Sequence, residues 1–464
     1  MAEYSLSDSK GFVVKRSEID GRLDPYYNFY LKNIQLKSIF EEESLYKISK
    51  PFSGGTPSKN NPEYWEGDIP WVSPKDFKGL YLDESEDHIS EKGLQNSSTK
   101  LVPAYSVLIV VRSGILIHSL PVTINTVPVT INQDLKAFVI NDDRILPEYL
   151  GIYFYVFGRK LLPLITKHST TVQSINTEQF AKLKIPIPDK PTQERIIALL
   201  NTALSNKQQK EKEAQDLLNG IDDYLLKALG IKIPKDYNKI LPKTFITNFK
   251  EITGNRIDPD YTSKYNFIIS QKSKYAFSQL KDFLKLPPQY GANEEAVELE
   301  SDEDIRYIRI TDIDELGYLK KDGSKTAKRT DARYLLNEDD LLFARSGSVG
   351  KCYIHKNVTS KCIFAGYLIR FVVDEKVINP DYVFYYCNSS LYKLWVSAIE
   401  RPAVQSNINS QEYKSLPIPV PPLDLQIKIS THIKTIRDNA LEIRQNAQLI
   451  LEEAKAEIEK IILG

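Results

Sequence analysis

Residues 193–229 read QERIIALLNTALSNKQQKEKEAQDLLNGIDDYLLKAL, and this stretch decides the fold. Apolar or small residues recur in it at alternating intervals of three and four, a heptad spacing that only Lys207 and Lys210 interrupt. Such spacing is typical of long helices that pack along their length, and a rise of about 1.5 Å per residue makes this one about 55 Å long. The predicted packing positions are Ile196, Leu200, Ala203, Ala214, Leu217 and Ile221.

A second stretch of the same kind covers residues 423–462 and keeps the heptad spacing more regularly than the first. Its predicted packing positions are Ile429, Ile433, Ile436, Ile443, Ile450 and Ile458. Two such helices can bury their apolar seams against each other, most simply as an antiparallel coiled coil. The alternative is two unrelated surface helices.

The segments that precede the two helices repeat each other, which argues against that alternative. Landmarks recur in the same order and at nearly constant spacing while the residues between them diverge. The clearest pairs are Asp24-Pro25 with Asp258-Pro259, Arg112-Ser113-Gly114 with Arg345-Ser346-Gly347, Pro147-Glu148-Tyr149 with Pro380-Asp381-Tyr382, and Gln193 with Gln426. We therefore predict an α+β protein in which two similar α/β modules are separated by two long antiparallel coiled-coil helices, with an internal pseudo-two-fold repeat.

This organisation divides the chain into six predicted segments. They are an N-terminal extension (1–23), a first module (24–189), a first spacer helix (190–232), a linker (233–257), a second module (258–421) and a second spacer helix (422–464).

Composition limits the class of protein. A hydrophobic content of 42% and a charged content of 26% are ordinary for a soluble globular protein. The formal net charge is zero, so any nucleic-acid binding must come from local patches of charge. The three cysteines show no metal-ligand spacing, and no signal peptide or long apolar span is seen, which predicts a cytoplasmic protein.

Two similar modules on stiff helices suit a target that has its own repeat. DNA is such a target, because the separation of half-sites is set in helical turns of about 34–36 Å. Since the two modules differ in sequence, we expect them to read two different half-sites of an asymmetric bipartite site.

The layout resembles the specificity subunit of a type I restriction–modification system over roughly residues 24–463. The resemblance is carried by GGTPS at 54–58, GDIPWVSPKD at 67–76, RSGSVG at 345–350, and IPIP at 185–188 leading to QERI at 193–196. It implies that the modules are target recognition domains and that the helices are the family's central spacers. One departure is that the second module shows PPQYG at 287–291 and no counterpart of the Gly-Gly-Thr-Pro-Ser turn.

The resemblance also implies partners. Such subunits bind double-stranded DNA, hold two methyltransferase subunits and recruit two restriction–translocation subunits. S-adenosylmethionine, ATP and magnesium belong to those partners, so this chain is expected to be non-catalytic and to bind no cofactor of its own.

Side chains that reach base edges or phosphates are the candidates for DNA binding. In the first module they are Thr56, Ser58, Lys59, Ser73, Lys75, Arg112, Ser113, Lys167, Thr170, Thr171 and Gln173. In the second they are Arg306, Arg309, Thr311, Arg345, Ser346, Lys351, Arg401, Gln405 and Asn407. For any single residue, a solvated loop position is an equally good interpretation. Trp71 and Tyr307, on strand-like runs, are expected in the core.

Other motifs are incomplete. GSVGKC at 347–352 lacks the spacing and the hydroxyl residue of a phosphate loop, and the five histidines form no metal pair. We therefore predict no catalytic and no metal site. The acidic stretch at 294–304 is expected to lie off the DNA face, since phosphate would repel it. A coiled-coil scaffold that binds proteins without DNA specificity is the alternative function.

Overall fold

The computed structural model describes residues 16, 25–33, 36–167, 173–234, 246, 259–301, 303–320, 323–356, 360–399 and 407–464. The chain divides into two compact units, Met1–Lys210 with Gln445–Gly464, and Glu211–Arg444. Each unit therefore combines one globular module with parts of both long helices. The predicted extension and linker lie almost wholly outside the described residues.

Eleven α-helices lie within the described ranges. They are α1 (Pro25–Asn33), α2 (Leu45–Ile48), α3 (Glu91–Gln95), α4 (Pro147–Ile165), α5 (Thr177–Lys182), α6 (Lys190–Leu229), α7 (Pro259–Ile269), α8 (Pro380–Tyr386), α9 (Ser390–Ile399), α10 (Ser410–Lys414) and α11 (Leu423–Leu463). Within those same ranges, no helix has both the length and the hydropathy needed to cross a membrane.

The strands are short and fall into two groups. Those of the first unit are β1 (Glu42–Ser44), β2 (Ser49–Ser53), β3 (Ile69–Val72), β4 (Tyr81–Leu82), β5 (Asp87–Ile89), β6 (Val107–Val110), β7 (Val122–Asn125), β8 (Thr130–Ile131), β9 (Leu135–Ile140), β10 (Thr166–Lys167), β11 (Ser174–Ile175) and β12 (Lys184–Pro186). Those of the second unit are β13 (Phe277–Gln279), β14 (Leu284–Tyr290), β15 (Ala296–Glu298), β16 (Arg306–Ile308), β17 (Lys325–Ala327), β18 (Leu341–Ala344), β19 (Cys352–Ile354), β20 (Cys362–Phe364), β21 (Leu368–Val373) and β22 (Pro417–Pro419).

The two modules share one sheet topology. The first has a sheet of order β2-β9-β6-β7-β4 and the second a sheet of order β14-β21-β18-β19, and β2, β9, β6 and β7 correspond to these four in turn. Each module has a further sheet with one parallel pair, β3 with β8 and β16 with β20. This agreement confirms the predicted internal repeat and the mixed α and β character of both modules.

A helix that begins at proline covers the main sheet of each module. Pro147 opens α4, which buries Tyr149, Leu150 and other apolar residues, and Pro380 opens α8. The hydroxyl of Tyr149 donates to the carbonyl oxygen of Pro186 over 2.9 Å, and Tyr382 donates to Pro419 over 2.6 Å. These bonds tie the helix to the strand that precedes each long helix.

The two long helices run antiparallel, as predicted. In the first unit Arg195 of α6 lies 3.7 Å from Glu457 of α11. In the second unit the Tyr224 ring packs on the His432 ring at 4.2 Å between centroids. In the same unit Arg444 donates to the Gln215 side-chain oxygen over 3.0 Å, so within that unit residue numbers rise along α6 where they fall along α11.

The side chains at the predicted packing positions differ in how deeply they are buried. Those with little or no exposure are Ile196, Leu200, Ala203, Ala214, Ile429, Ile433 and Ile458. Those that are half-buried are Leu217, Ile221, Ile436, Ile443 and Ile450.

A buried glutamine fixes the start of each long helix. The Gln193 amide donates to the carbonyl oxygens of Arg144 and Pro188 and accepts from the backbone N–H of Leu146. Gln426 accepts in the same way from the N–H of Asn379 and donates to Pro421. Both side chains are almost fully buried. The first turn of each helix is thereby joined to the residue that precedes α4 or α8.

We expect Gln193→Ala to lower the free energy of unfolding of the first unit by about 2 kcal/mol, because the buried carbonyl oxygen of Pro188 and two part-buried backbone groups, at Arg144 and Leu146, lose their partner. The measurement is urea unfolding followed by tryptophan fluorescence in a Trp395→Phe background, where only Trp65 and Trp71 report. Gln209→Ala, at an exposed position of the same helix, is the control and should change the value by less than about 0.5 kcal/mol. Equal effects of the two variants would contradict this role.

The prediction that the second module lacks a counterpart of the Gly-Gly turn is wrong. The N–H of Gly55 donates to Ile131 over 2.9 Å, and the N–H of Ala292 donates to Phe364 over 2.8 Å at the corresponding place. A Cβ at Gly54 would collide with the carbonyl oxygens of Ile131 and Asn132, and one at Gly291 with those of Phe364 and Ala365. Gly291-Ala292 therefore replaces Gly54-Gly55, and the requirement they share is backbone contact between two loops.

Candidate nucleic-acid interface

Four loops of the first module bring polar side chains together. The Thr56 hydroxyl donates to the Gln133 side-chain oxygen, and Arg112 Nε lies 2.6 Å from Asp134 Oδ1. The N–H of Ser113 donates to the carbonyl oxygen of Gln173 over 3.1 Å. We call this set the first face, and its residues are Thr56, Arg112, Ser113, Gln133, Asp134 and Gln173. Four of them were predicted from the sequence.

The second module forms a corresponding set. Ser346 and Asn407 pair as a β-bridge, and Arg345 accepts from the N–H of Ile408 over 2.8 Å while its own N–H donates to Tyr367 over 2.9 Å. The side-chain oxygen of Asn293 lies against Gly366. This second face consists of Asn293, Arg345, Ser346, Tyr367 and Asn407. Arg345, Ser346 and Asn407 were predicted.

The two arginines have different surroundings. Arg112 is neutralised by Asp134, whereas the ion pairs among the described residues include none for Arg345. The Arg345 guanidinium instead lies 5.0 Å from the centre of the Tyr290 ring, and its Nε is buried without a hydrogen-bond partner. Arg345 is therefore the better placed of the two to bind an acceptor that arrives from outside.

Two predicted residues of the first module are occupied by internal bonds. Ser73 is buried, and its hydroxyl and N–H both donate to Asp76, which caps a 3-10 helix. Lys75 pairs with Asp87 at 2.9 Å and with Glu86 at 3.2 Å, and these carboxylates raise the pKa of Lys75. Neither side chain is free to reach a phosphate in this conformation.

Ser58 and Lys59 are exposed beside the first face. The Lys59 ammonium lies 6.0 Å from the centre of the Trp65 ring. Trp71 and Tyr307 are buried, as predicted, and each donates to the backbone of the glycine turn: Trp71 to Gly55 over 2.9 Å and Tyr307 to Ala292 over 2.6 Å.

Three predicted residues of the second module also bond internally. Arg306 donates to Lys320 over 2.7 Å, and Arg309 forms a two-point pair with the buried carboxylate of Asp312 at 3.0 and 2.6 Å. Lys351 donates to the carbonyl oxygen of Ile313, and burial lowers the pKa of Lys351. Thr311 is exposed.

Some predicted residues cannot be placed. Thr170, Thr171, Arg401 and Gln405 lie outside the described residues, and of Lys167 only the backbone, in β10, is described.

Sequence reasoning missed Gln133, Asp134, Asn293 and Tyr367. None of them belongs to a motif, and each lies in a short connection between strands. The one available signal was the alignment of the two repeats, in which INQDL at 131–135 corresponds to FAGYL at 364–368. That alignment would have placed Gln133 and Asp134 opposite Gly366 and Tyr367.

Over the described ranges, no group of three or more His, Cys, Asp or Glu side chains has an arrangement that could hold a metal ion. His355 is one of the five histidines, and its Nδ1 lies 2.9 Å from the Tyr353 hydroxyl. Burial lowers the pKa of His355 to about 4. The ring is therefore neutral at pH 7 and contributes to packing.

We expect acidification to destabilise the second unit through His355. In the unfolded chain the ring has a pKa of about 6.5 and takes up a proton below that pH, whereas in the folded protein it stays neutral until the pH approaches its pKa of about 4. The contribution of the neutral His355 ring to the free energy of unfolding is thus fully present above pH 6.5 and is lost as the pH falls towards 4. Between pH 7 and pH 5 the loss is about 2 kcal/mol. Urea unfolding at both values should show this loss in the wild type and not in His355→Gln. The same loss in both proteins would assign it to other groups.

Comparison with known proteins agrees with this architecture. The family model for the type I restriction modification DNA specificity domain matches residues 33–218 and 272–452. The specificity subunit of a type I restriction enzyme from Escherichia coli is 44% identical over 180 residues, which span 38% of this chain and 44% of that protein. The specificity subunit of the type I restriction enzyme MjaIX from Methanocaldococcus jannaschii is 24% identical over 367 residues, 75% of each chain.

A solved structure is also similar. The crystal structure of a type I restriction–modification S subunit from M. genitalium aligns with 93% of this chain and 98% of that chain, at 12% identity and a TM-score of 0.45. A likeness at this level supports no argument about function. The family model, in contrast, covers most of the chain and occurs once in each repeat, and on that basis the chain belongs to the family of type I restriction–modification DNA specificity domains.

Proposed function

We propose that this chain is the sequence-specific DNA-recognition subunit of a type I restriction–modification complex. Each module reads one half of an asymmetric bipartite site through its face, and the two long helices set the gap and dock methyltransferase subunits. The observation that carries the proposal is that both modules gather an arginine and a serine at corresponding loops, with a carboxamide on a neighbouring loop. Arginine and carboxamides are the side chains that read guanine and adenine edges in the major groove.

The differences between the faces support two different half-sites. Asp134 pairs with Arg112 in the first, while Tyr367, a side chain that is 63% exposed, stands at the corresponding position in the second. A carboxylate can accept from the cytosine amino group, whereas a tyrosine offers an aromatic surface and a hydroxyl. The same base pairs cannot satisfy both arrangements.

The chemistry belongs to partner subunits in this proposal. Two methyltransferase subunits bring S-adenosylmethionine, two restriction–translocation subunits bring ATP and magnesium, and the assembly works in the prokaryotic cytoplasm. With no net charge on the chain, non-specific attraction to DNA is weak, and we expect firm binding only in the assembled complex.

The test is to co-express this chain with its type I methyltransferase subunits and to expose the complex to random-sequence DNA. Sequencing of modified adenines should return one bipartite, asymmetric motif with a fixed gap. The affinity for a matching duplex should fall steeply as salt rises, because phosphate contacts release counterions. A stable complex that methylates no defined motif would overturn the proposal in favour of a protein-binding scaffold.

A further inference from the structure

One position on each face carries an exposed carboxamide, although the two side chains come from different loops. Thr56 directly follows Gly55, and Asn293 directly follows Ala292, the two residues whose N–H groups make the equivalent hydrogen bonds. The acceptors of those bonds are Ile131 and Phe364, at the ends of β8 and β20, and Gln133 and Gly366 each lie two residues further along the chain. Thr56 therefore corresponds to Asn293, and Gln133 to Gly366. The first module has threonine and glutamine there, and the second has asparagine and glycine.

In the first module the threonine orients the glutamine. The Thr56 hydroxyl donates to the Gln133 side-chain oxygen. This hydrogen bond fixes the orientation of the Gln133 amide, in which the oxygen is an acceptor and the nitrogen is a donor. Both side chains are exposed. The Gln133 amide thus keeps one lone pair and two N–H groups for an external partner.

In the second module the glycine makes room for the asparagine. A Cβ at Gly366 would lie against the Asn293 side-chain oxygen, so a larger residue there would displace the Asn293 amide from its present position. Asn293 is exposed. Each module thus presents one exposed carboxamide at this position, from Gln133 in the first and from Asn293 in the second. The residue on the facing loop is Thr56 in the first module and Gly366 in the second.

Ion pairs offset part of the negative charge around this position. Gln133 is followed by Asp134, which Arg112 neutralises. Asn293 directly precedes the acidic stretch, in which Glu295 pairs with Lys328 at 2.9 Å and Glu298 pairs with Lys325. Two acids of that stretch therefore carry their own counter-charges.

A carboxamide held at a base edge forms two hydrogen bonds with adenine, donating to N7 and accepting from the N6 amino group. Resting on the proposed function, we propose that Gln133 and Asn293 are specificity-determining residues that each read one adenine, Gln133 in the first module's half-site and Asn293 in the second's. Thr56 and Gly366 are positioning residues for these two amides.

The experiment compares the motifs methylated by complexes that contain the full chain as wild type, Gln133→Ala, Asn293→Ala or Gln95→Ala. Gln133→Ala should lose the preference for adenine at one position of one half-site, by about tenfold to a hundredfold, and should keep every other position and the gap. Asn293→Ala should do the same in the other half-site only. Gln95 is an exposed residue of α3, and its variant should return the wild-type motif.

A second measurement remains informative if a variant folds poorly. A duplex with 7-deazaadenine at the assigned position lacks the N7 acceptor, so the wild-type complex should bind it several-fold more weakly than the adenine duplex. Gln133→Ala should bind the two duplexes equally. Thr56→Val, which keeps the shape and removes the donor to Gln133, should show a smaller loss of preference at the same position.

The outcomes separate the two proposals. A wild-type complex without any defined motif would overturn the proposed function. A wild-type motif that is unchanged in Gln133→Ala and Asn293→Ala, or that changes at a base other than adenine, would overturn this assignment and leave the proposed function intact.

Discussion

Replacing Arg345 by alanine should reduce methylation of the cognate site about 30-fold and relax the motif at one position of the second module's half-site. The reason is that Arg345 has no carboxylate partner within the described part of the chain, and it is held against Tyr290 with its Nε unbonded. A guanidinium in this state can bond N7 and O6 of guanine without first breaking an internal ion pair, and such a contact contributes about 2 kcal/mol.

Arg112→Ala is the matched variant, because Arg112 occupies the corresponding place and already pairs with Asp134 at 2.6 Å. Its loss should cost fivefold or less. Arg345→Lys should not restore the wild-type level, since an ammonium lacks the planar two-point geometry. Steady-state methylation of duplexes with each base at every position measures all three variants. Equal losses for Arg112→Ala and Arg345→Ala would show that the internal pair does not matter.

Removing one heptad from each long helix should shorten the gap between the half-sites and leave both half-sites unchanged. Residues 207–213 of α6 and 441–447 of α11 are suitable, since the seam keeps its spacing when seven residues are lost from both helices. Seven residues correspond to about 10 Å of helix, or about three base pairs of DNA. Three base pairs also rotate the duplex by roughly a third of a turn, so the rate of methylation should fall.

The control deletes residues 207–213 alone. This unpaired deletion shifts the apolar seams out of register, and we expect loss of stability without a new defined gap. Sequencing of methylated random DNA gives the gap directly for each protein. An unchanged gap in the doubly shortened protein, with methylation intact, would rule out the helices as the element that sets it.

The parts of the fold that depend on periodicity could be predicted, and the parts that depend on backbone contact could not. The heptads at Ile196 and Ile429 specify α6 and α11, because burying such a seam requires a second helix of the same kind. The equivalence of Gly54 and Gly291 was invisible, because the surrounding residues differ and the shared feature is the approach of two carbonyl oxygens.

The candidate site shows a similar limit. Arg345 and Arg112 were identified because they repeat, whereas Ser73 and Arg309 were proposed as DNA contacts although each serves a neighbouring carboxylate, Asp76 or Asp312. A sequence lists polar residues without their partners. Gln133 carried no pattern at all, and its interest comes only from the Thr56 hydroxyl beside it.

The close backbone contact at Gly54 and Gly291 has a consequence for how a restriction system acquires a new target. The loops are held by main-chain atoms, so substitutions at Thr56, Gln133 or Asn293 leave the supporting structure in place. In the proposed complex, methylation and cleavage both take their specificity from this one chain. A single substitution in such a loop would then retarget both activities at once, and the cell's own DNA would never be cut at a site that its methyltransferase had ceased to recognise.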